Sequence, residues 1–177
     1  MSLSRPLEAQ PGTLRFKLFR RGAPVALSDS LPMLEHMGVK VLNERPHRIA
    51  AAGREPVFLH DLDLQLPAAA DADLDIDALH SLFEDAFGRV FDGDVENDDF
   101  NRLVIAARLP ATEVTILRAY ARYMRQIGFP LSQAFIEATV AVHPGIAAAL
   151  MALFKLRFDP APRDASASRR SCPPSRR

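Results

Sequence analysis

Glycine is scarce in this sequence and never clustered. There are 8 glycines in 177 residues, and the closest two, Gly88 and Gly93, stand five apart. No G-x-G occurs, so neither a dinucleotide fingerprint nor a Walker A loop is present, since each needs grouped glycine to bring phosphate against the backbone. Lysine is limited to Lys17, Lys40 and Lys155. A single cysteine, Cys172, excludes an internal disulfide and any cysteine metal cluster. Net charge is also missing, because 22 Lys+Arg balance 22 Asp+Glu. That removes the bulk field expected of a partner for nucleic acid or an acidic membrane. The longest apolar run, Gly145 to Phe154, has ten residues, about half of the roughly 20 that a bilayer span needs. Met1 to Gly12 is polar and lacks the apolar core of a signal peptide. These absences predict a soluble, cytoplasmic chain with no membrane or nucleic-acid partner. They do not describe a complete nucleotide-dependent enzyme.

What is present is ordinary globular composition, 48% hydrophobic and 25% charged, enough for one domain or two small ones. Residues 1–13 are expected to be disordered. Residues 14–66 read as a small α+β unit. Leu14, Phe16 and Leu18 alternate with Arg15 and Lys17, the period of a half-buried strand. Gly22 and Pro24 break it. Ser28 is placed to cap a helix whose face is Leu27, Leu31, Leu34 and Met37, and Gly38 follows where a left-handed residue closes a helix. Val39–Leu42 is a second strand, and a third begins at Val57 and extends toward Leu64. The order βαββ is most of a ferredoxin-like or ACT-like unit.

Residues 67–74, rich in Pro, Ala and Asp, read as a linker. Residues 75–158 read as a bundle of five helices. Their stripes begin with Ile76, Leu79, Phe83, Phe87 and Val90, continue through Phe100–Ala107, Val114–Met124 and Phe135–Val140, and finish with Ile146–Phe154. Each stripe needs a partner, so the helices are expected to bury against one another. Residues 159–177 carry five Arg against two Asp and no large apolar side chain. They predict a disordered tail.

Few residues suggest chemistry. Asp92, Asp94 and Glu96 alternate like calcium ligands, but the sixth and twelfth positions of an EF-hand loop hold Asn97 and Leu103 instead of Gly and Glu. An acidic loop in which Asp98 or Asn97 caps the next helix is the simpler reading. His36, His47, His60, His80 and His143 lack metal-ligand spacing, and His60-Asp61 is the only suggestive neighbour pair. Arg118, Arg122 and Arg125 share a helix face, either as an anion or RNA patch or as a solvated face paired with acids. No catalytic, cofactor-binding or metal residue is assigned.

Longer motifs are more specific. Glu96-Asn97-Asp98-Asp99-Phe100-Asn101-Arg102-Leu103-Val104 is followed by Glu113-Val114-Thr115-Ile116-Leu117-Arg118-Ala119-Tyr120 and then Arg125-Gln126-Ile127-Gly128. His143-Pro144 and Leu153-Phe154-Lys155-Leu156-Arg157-Phe158-Asp159-Pro160 complete the set. With Phe19-Arg20-Arg21-Gly22 and Glu44-Arg45-Pro46, this pattern resembles the large bacterial NAD-specific glutamate dehydrogenases from about Leu14 to Pro160. The resemblance implies an ACT-like regulatory unit joined to a helical region, upstream of the catalytic domain. It implies a parent reaction that takes L-glutamate, NAD and water to 2-oxoglutarate, ammonia and NADH. NAD then belongs to the parent, and no cofactor to this chain, which alone is expected to be inactive. Its partners would be the rest of the dehydrogenase polypeptide or other subunits, with an amino-acid effector as a further candidate. The text after Pro160 departs from the family pattern and leads to the expectation of a truncated or frame-shifted reading frame. A stand-alone amino-acid-sensing or interaction module is the alternative.

Overall fold

The computed structural model describes residues 1–6, 10, 12–67 and 75–159. Apart from Pro67 and Asp159, the linker expected at 67–74 and the tail expected at 159–177 lie outside these residues. Four strands make one antiparallel sheet in the order β1-β2-β4-β3: β1 Ser2–Ser4, β2 Thr13–Arg21, β3 Lys40–Ile49 and β4 Val57–Gln65. Helix α1, Leu27–His36, crosses from β2 to β3. Strand β4 pairs antiparallel with both, so β2 and β3 run parallel with β4 between them, a split βαβ unit. The α+β expectation therefore holds, with one strand more than expected.

That extra strand corrects the reading of the N-terminus as disordered. Ser2–Ser4 pairs with β2, placing Leu3 opposite Phe16. Leu3 is 2% exposed, and its N–H donates to Glu84 Oε1 at 2.7 Å. In a ferredoxin-like unit the strand beside the first strand follows the second helix; here the N-terminus fills that edge. Three residues are too few to show a period, so the strand exists only because burying Leu3 and pairing its backbone offset the cost of ordering.

Helix α2, Ile76–Phe91, starts on Asp75, whose side chain accepts from the N–H groups of Asp77 and Ala78. It packs on the sheet instead of only on other helices. Phe16 of β2 meets Phe83 at 5.4 Å and Phe87 at 5.0 Å, both edge-to-face, a favoured aromatic geometry. A 3₁₀ turn, Asp99–Arg102, leads into α3, Leu103–Ala106. Then follow α4 Ala111–Gln126, α5 Gln133–Ala141 and α6 Pro144–Phe158. All five expected helical segments are present. One continuous buried cluster runs from Leu3, Phe16 and Leu64 through Phe83, Leu103 and Val114 to Met151.

Two local expectations are corrected. Ser28 does not cap α1: the helix begins at Leu27, its N-cap is Ala26 without a side-chain bond, and Ser28 Oγ lies 3.2 Å from Asp29 Oδ1. The buried face of α1 is Ser30, Leu34 and Met37, while Leu27 is exposed. Gly38 does close the helix, at φ +82°, with its N–H on Glu35 O at 2.9 Å, a conformation that costs little without a Cβ.

The expectation that the five helices bury one another holds only in part. Only Ile136 of α5 and only Ala147 and Met151 of α6 are buried. Among the described residues, twelve of the seventeen large hydrophobic side chains left exposed fall between Tyr120 and Phe158.

Candidate functional site

The Arg face of α4 is resolved by pairing. Arg118 is 3% exposed. Its Nε donates to Asp98 Oδ2 at 2.6 Å, and its Nη2 to Asp98 Oδ1 at 2.8 Å and Asn101 Oδ1 at 3.0 Å. Its guanidinium carbon also lies 5.8 Å from the Phe100 ring centroid. Arg122 reaches Glu96 Oε1 at 2.5 Å. Arg125 stays exposed. Two of the three cations are therefore taken by the acidic loop that precedes the 3₁₀ turn. Asp98 also accepts from the N–H of Phe100 at 3.1 Å, so it is the cap expected from its position. Glu96, Asp98 and Asp99 of the loop are spent on capping and ion pairing. Among the described residues no group of three or more His, Cys, Asp or Glu could hold a metal ion.

His60 is buried and fully bonded. Its Nε2 accepts from the Val25 N–H at 3.1 Å, so that nitrogen carries no proton. Its Nδ1 then donates to Glu44 Oε1 at 2.7 Å. The pair clips the segment leading into α1 to the sheet, with Glu44 at the wall of the groove along α1 and β3. Its neighbour Asp61 points to the opposite face of β4. There Asp61 and Asp63 stand between Arg15 of β2 and Arg45 of β3, with Arg45 Nη2 on Asp63 Oδ1 at 2.9 Å. The hydrogen bond from Arg45 holds the Asp63 carboxyl below the ordinary carboxylate range. His36 bonds Asn97 at 3.0 Å, and His80 lies 2.9 Å from Glu84.

The turn between β2 and α1 holds a single glycine, Gly22, where a Cβ would lie 2.6 Å from Glu55 Oε1.

Three concavities stand out among the described residues. A cavity of about 600 Å³ lies where α1, α3, α5 and α6 converge, walled by Met37, Ile105, Ala138 and Val142, with Asp99 and Arg102 among its lining residues. That ion pair is 2.8 Å long. This volume suits a small ligand, but the lining holds no nucleophile or histidine. A shallower groove of about 750 Å³ follows α1 and β3, past Leu27 and Leu31. The third, about 510 Å³, lies between α4, α5 and α6, and its walls include Leu117, Met124, Ile136, Val140, Leu150 and Leu153. The exposed side chains of α6 were missed at the sequence level because every stripe was assigned a partner within the chain. The available signal was that α6 is apolar on all sides, with Lys155 and Arg157 its only charges.

No helix is long and apolar enough to cross a membrane by itself; α5 and α6 together reach that composition but meet at a bend of 99°.

Comparison with known proteins matches both halves of the chain in order. Residues 1–79 match the family described as glutamate dehydrogenase, ACT3 domain. Residues 95–160 match glutamate dehydrogenase, helical motif 3. An NAD-specific glutamate dehydrogenase of Halomonas elongata is 41% identical over 97% of this chain. One from Pseudomonas aeruginosa is 41% identical over 89%, and one from Mycobacterium tuberculosis 36% identical over 90%. In each case the match covers 10% of the relative, so the chain spans about a tenth of their length.

Proposed function

Because the chain belongs to the large bacterial NAD-specific glutamate dehydrogenase family, we propose that it serves as a non-catalytic segment of such an enzyme. The parent would act in the cytoplasm and oxidatively deaminate L-glutamate to 2-oxoglutarate and ammonia, with NAD as hydride acceptor. In this reading the segment contributes packing and, through its ACT-like half, regulation. The observation that carries it is the ordered match of both halves to glutamate dehydrogenase segments. The test is a chimera in which this chain replaces the matching tenth of the Halomonas elongata enzyme. Glutamate-dependent NADH formation should persist in the chimera and be undetectable with the isolated chain. An inactive chimera, or an active isolated chain, would overturn the reading.

The cavity near Arg102 favours a second reading, an amino-acid-sensing module. A ligand bound only to the folded state at a hundred times its Kd adds about 2.7 kcal/mol. Thermal scans with the twenty amino acids should then show a raised Tm with at least one. No shift with any of them counts against sensing.

A further inference from the structure

Among the described residues His60 is the one histidine with both ring nitrogens bonded. Its two bonds respond to a proton in opposite ways. Nδ1 donates to Glu44 Oε1 at 2.7 Å, and an imidazolium keeps that bond, because Nδ1–H is a donor in either state. Nε2 accepts from the Val25 N–H at 3.1 Å. A proton on Nε2 turns that acceptor into a second donor and sets two N–H groups against each other.

The segment that this bond holds has little else. From Arg21 to Asp29 every residue but Val25 is exposed, and Val25 is 3% exposed. Residues 24–26 make no other hydrogen bond to the sheet among the described residues. With Nε2 protonated, the Val25 N–H is left buried without an acceptor, a state that backbone groups seldom hold. Water is close by, since Pro24 and Ala26 on either side are exposed. One buried side chain and one buried bond make a segment that opens locally while the sheet stays folded.

The charges around the ring are few. Opposite His60 in the sheet stand Leu18 of β2 and Pro46 of β3, both uncharged. The next row on the same face is Arg20, Phe58 and Arg48, with the Arg20 guanidinium 5.9 Å from the Phe91 ring centroid. Asp61 and His47 alternate to the other face of their strands. Helix α1 buries Ser30 and Leu34. On α2, Glu84 is bonded to Leu3 and His80, and Arg89 to Asp85. Glu55 lies against Gly22, at the other end of the β2–α1 turn. Glu44 is therefore the charged group bonded to the imidazole, and it lines the groove along α1 and β3 with Leu27 and Leu31.

We propose that His60 is a proton-operated latch: a proton on Nε2 breaks the bond to Val25 and releases the segment from Gly22 to Ala26 that leads into α1, while Glu44 keeps the ring on the sheet. The latch works at the edge of the groove that Glu44 lines, and it stands independently of the dehydrogenase-segment reading.

The test follows the intact 177-residue chain by NMR from about pH 8 to about pH 5, the range in which imidazoles titrate. The His60 ring resonances and the Val25 amide resonance should move with one midpoint. Across it the hydrogen-exchange protection factor of the Val25 amide should fall by about tenfold or more, while that of Phe16 in β2 holds. In His60→Gln, whose side-chain oxygen accepts from Val25 and takes up no proton in this range, Val25 protection should stay level. Should that variant fail to fold, the shared midpoint and the Val25-against-Phe16 comparison in the unaltered chain decide. The proposal is overturned if His60 takes up its proton while Val25 protection holds, or if His60 takes up none in this range. It is also overturned if Phe16 loses as much protection as Val25, or if Val25 loses protection equally in folded His60→Gln.

Discussion

Arg118 is the residue whose removal the helical half should feel most. It donates to both oxygens of Asp98 and to Asn101, and its own side chain is buried while Asp98 keeps partial exposure. Truncating one partner of a buried pair leaves the other charge uncompensated, at about 3 kcal/mol or more. Arg118→Ala should lower stability by that amount in urea denaturation, and Arg118→Lys should recover little, since an ammonium cannot make the two-pronged contact. Equal stability of Arg118→Ala and the parent would show that Asp98 finds water instead. Asp63 gives a pH dependence. Its carboxyl titrates lower in the folded state than in the unfolded one, because Arg45 hydrogen-bonds its charged form. The unfolded chain therefore binds a proton first as pH falls. This contribution is complete above the unfolded value, near pH 4, and is lost as pH falls through the folded value. Asp63→Asn should lower Tm slightly at neutral pH, where the contribution is complete but screened by solvent, and its Tm-against-pH curve should meet that of the parent as pH falls through the folded value.

At the scale of elements, the sheet and the helices fail differently. Deleting residues 1–6 removes β1, buried Leu3 and the bond from its N–H to Glu84. The cost should be about 2–4 kcal/mol, from one buried leucine and one buried hydrogen bond, read as a lower midpoint in urea. A midpoint unchanged by the deletion would mean that β1 adds no net stability. In α4, Leu117 is only 5% exposed. Leu117→Asp should cost several kcal/mol by burying a carboxylate without a partner, and an unchanged Tm would show that this face is not interior. Strand β3 shows why some elements escape sequence reading. Only Val39–Leu42 looked like a strand, because Asn43 to Arg48 is polar and contains Pro46. The strand runs on to Ile49 because an edge position has one unpaired side, where Pro and charge are tolerated. Ser28 was misjudged for a related reason. A serine near a helix start is a good cap only one residue outside it, and α1 begins two residues too early for that, at Leu27 with Ala26 as its N-cap.

Across the whole molecule, sheet and helices share one core. The sequence suggested two units joined by a linker, yet α2 lies on the sheet through Phe83 and Phe87, and the same cluster continues to Val114 and Met151. Unfolding should therefore be a single transition, with circular dichroism at 222 nm and tyrosine fluorescence from Tyr120 and Tyr123 coinciding. Two separated transitions would mean that the sheet and helices are independent. The same shared core makes α5 and α6 the least covered of the described residues, and it is there that the concavity of about 510 Å³ opens.

By itself, the sequence determined the α+β class, the five helical segments, the closing role of Gly38 and the absence of a phosphate-binding loop. It could do so because period, capping chemistry and glycine spacing are local properties. It also carried the family, because long motifs such as those from Glu96 to Val104 are written in order along the chain. Only the tertiary structure decided that Ser2–Ser4 is a strand, that Arg118 and Arg122 face acids instead of a ligand, and that Leu150 and Leu153 lie exposed among the described residues. Those outcomes depend on which surfaces meet. An apolar side chain looks the same in sequence whether a neighbouring element covers it or leaves it exposed.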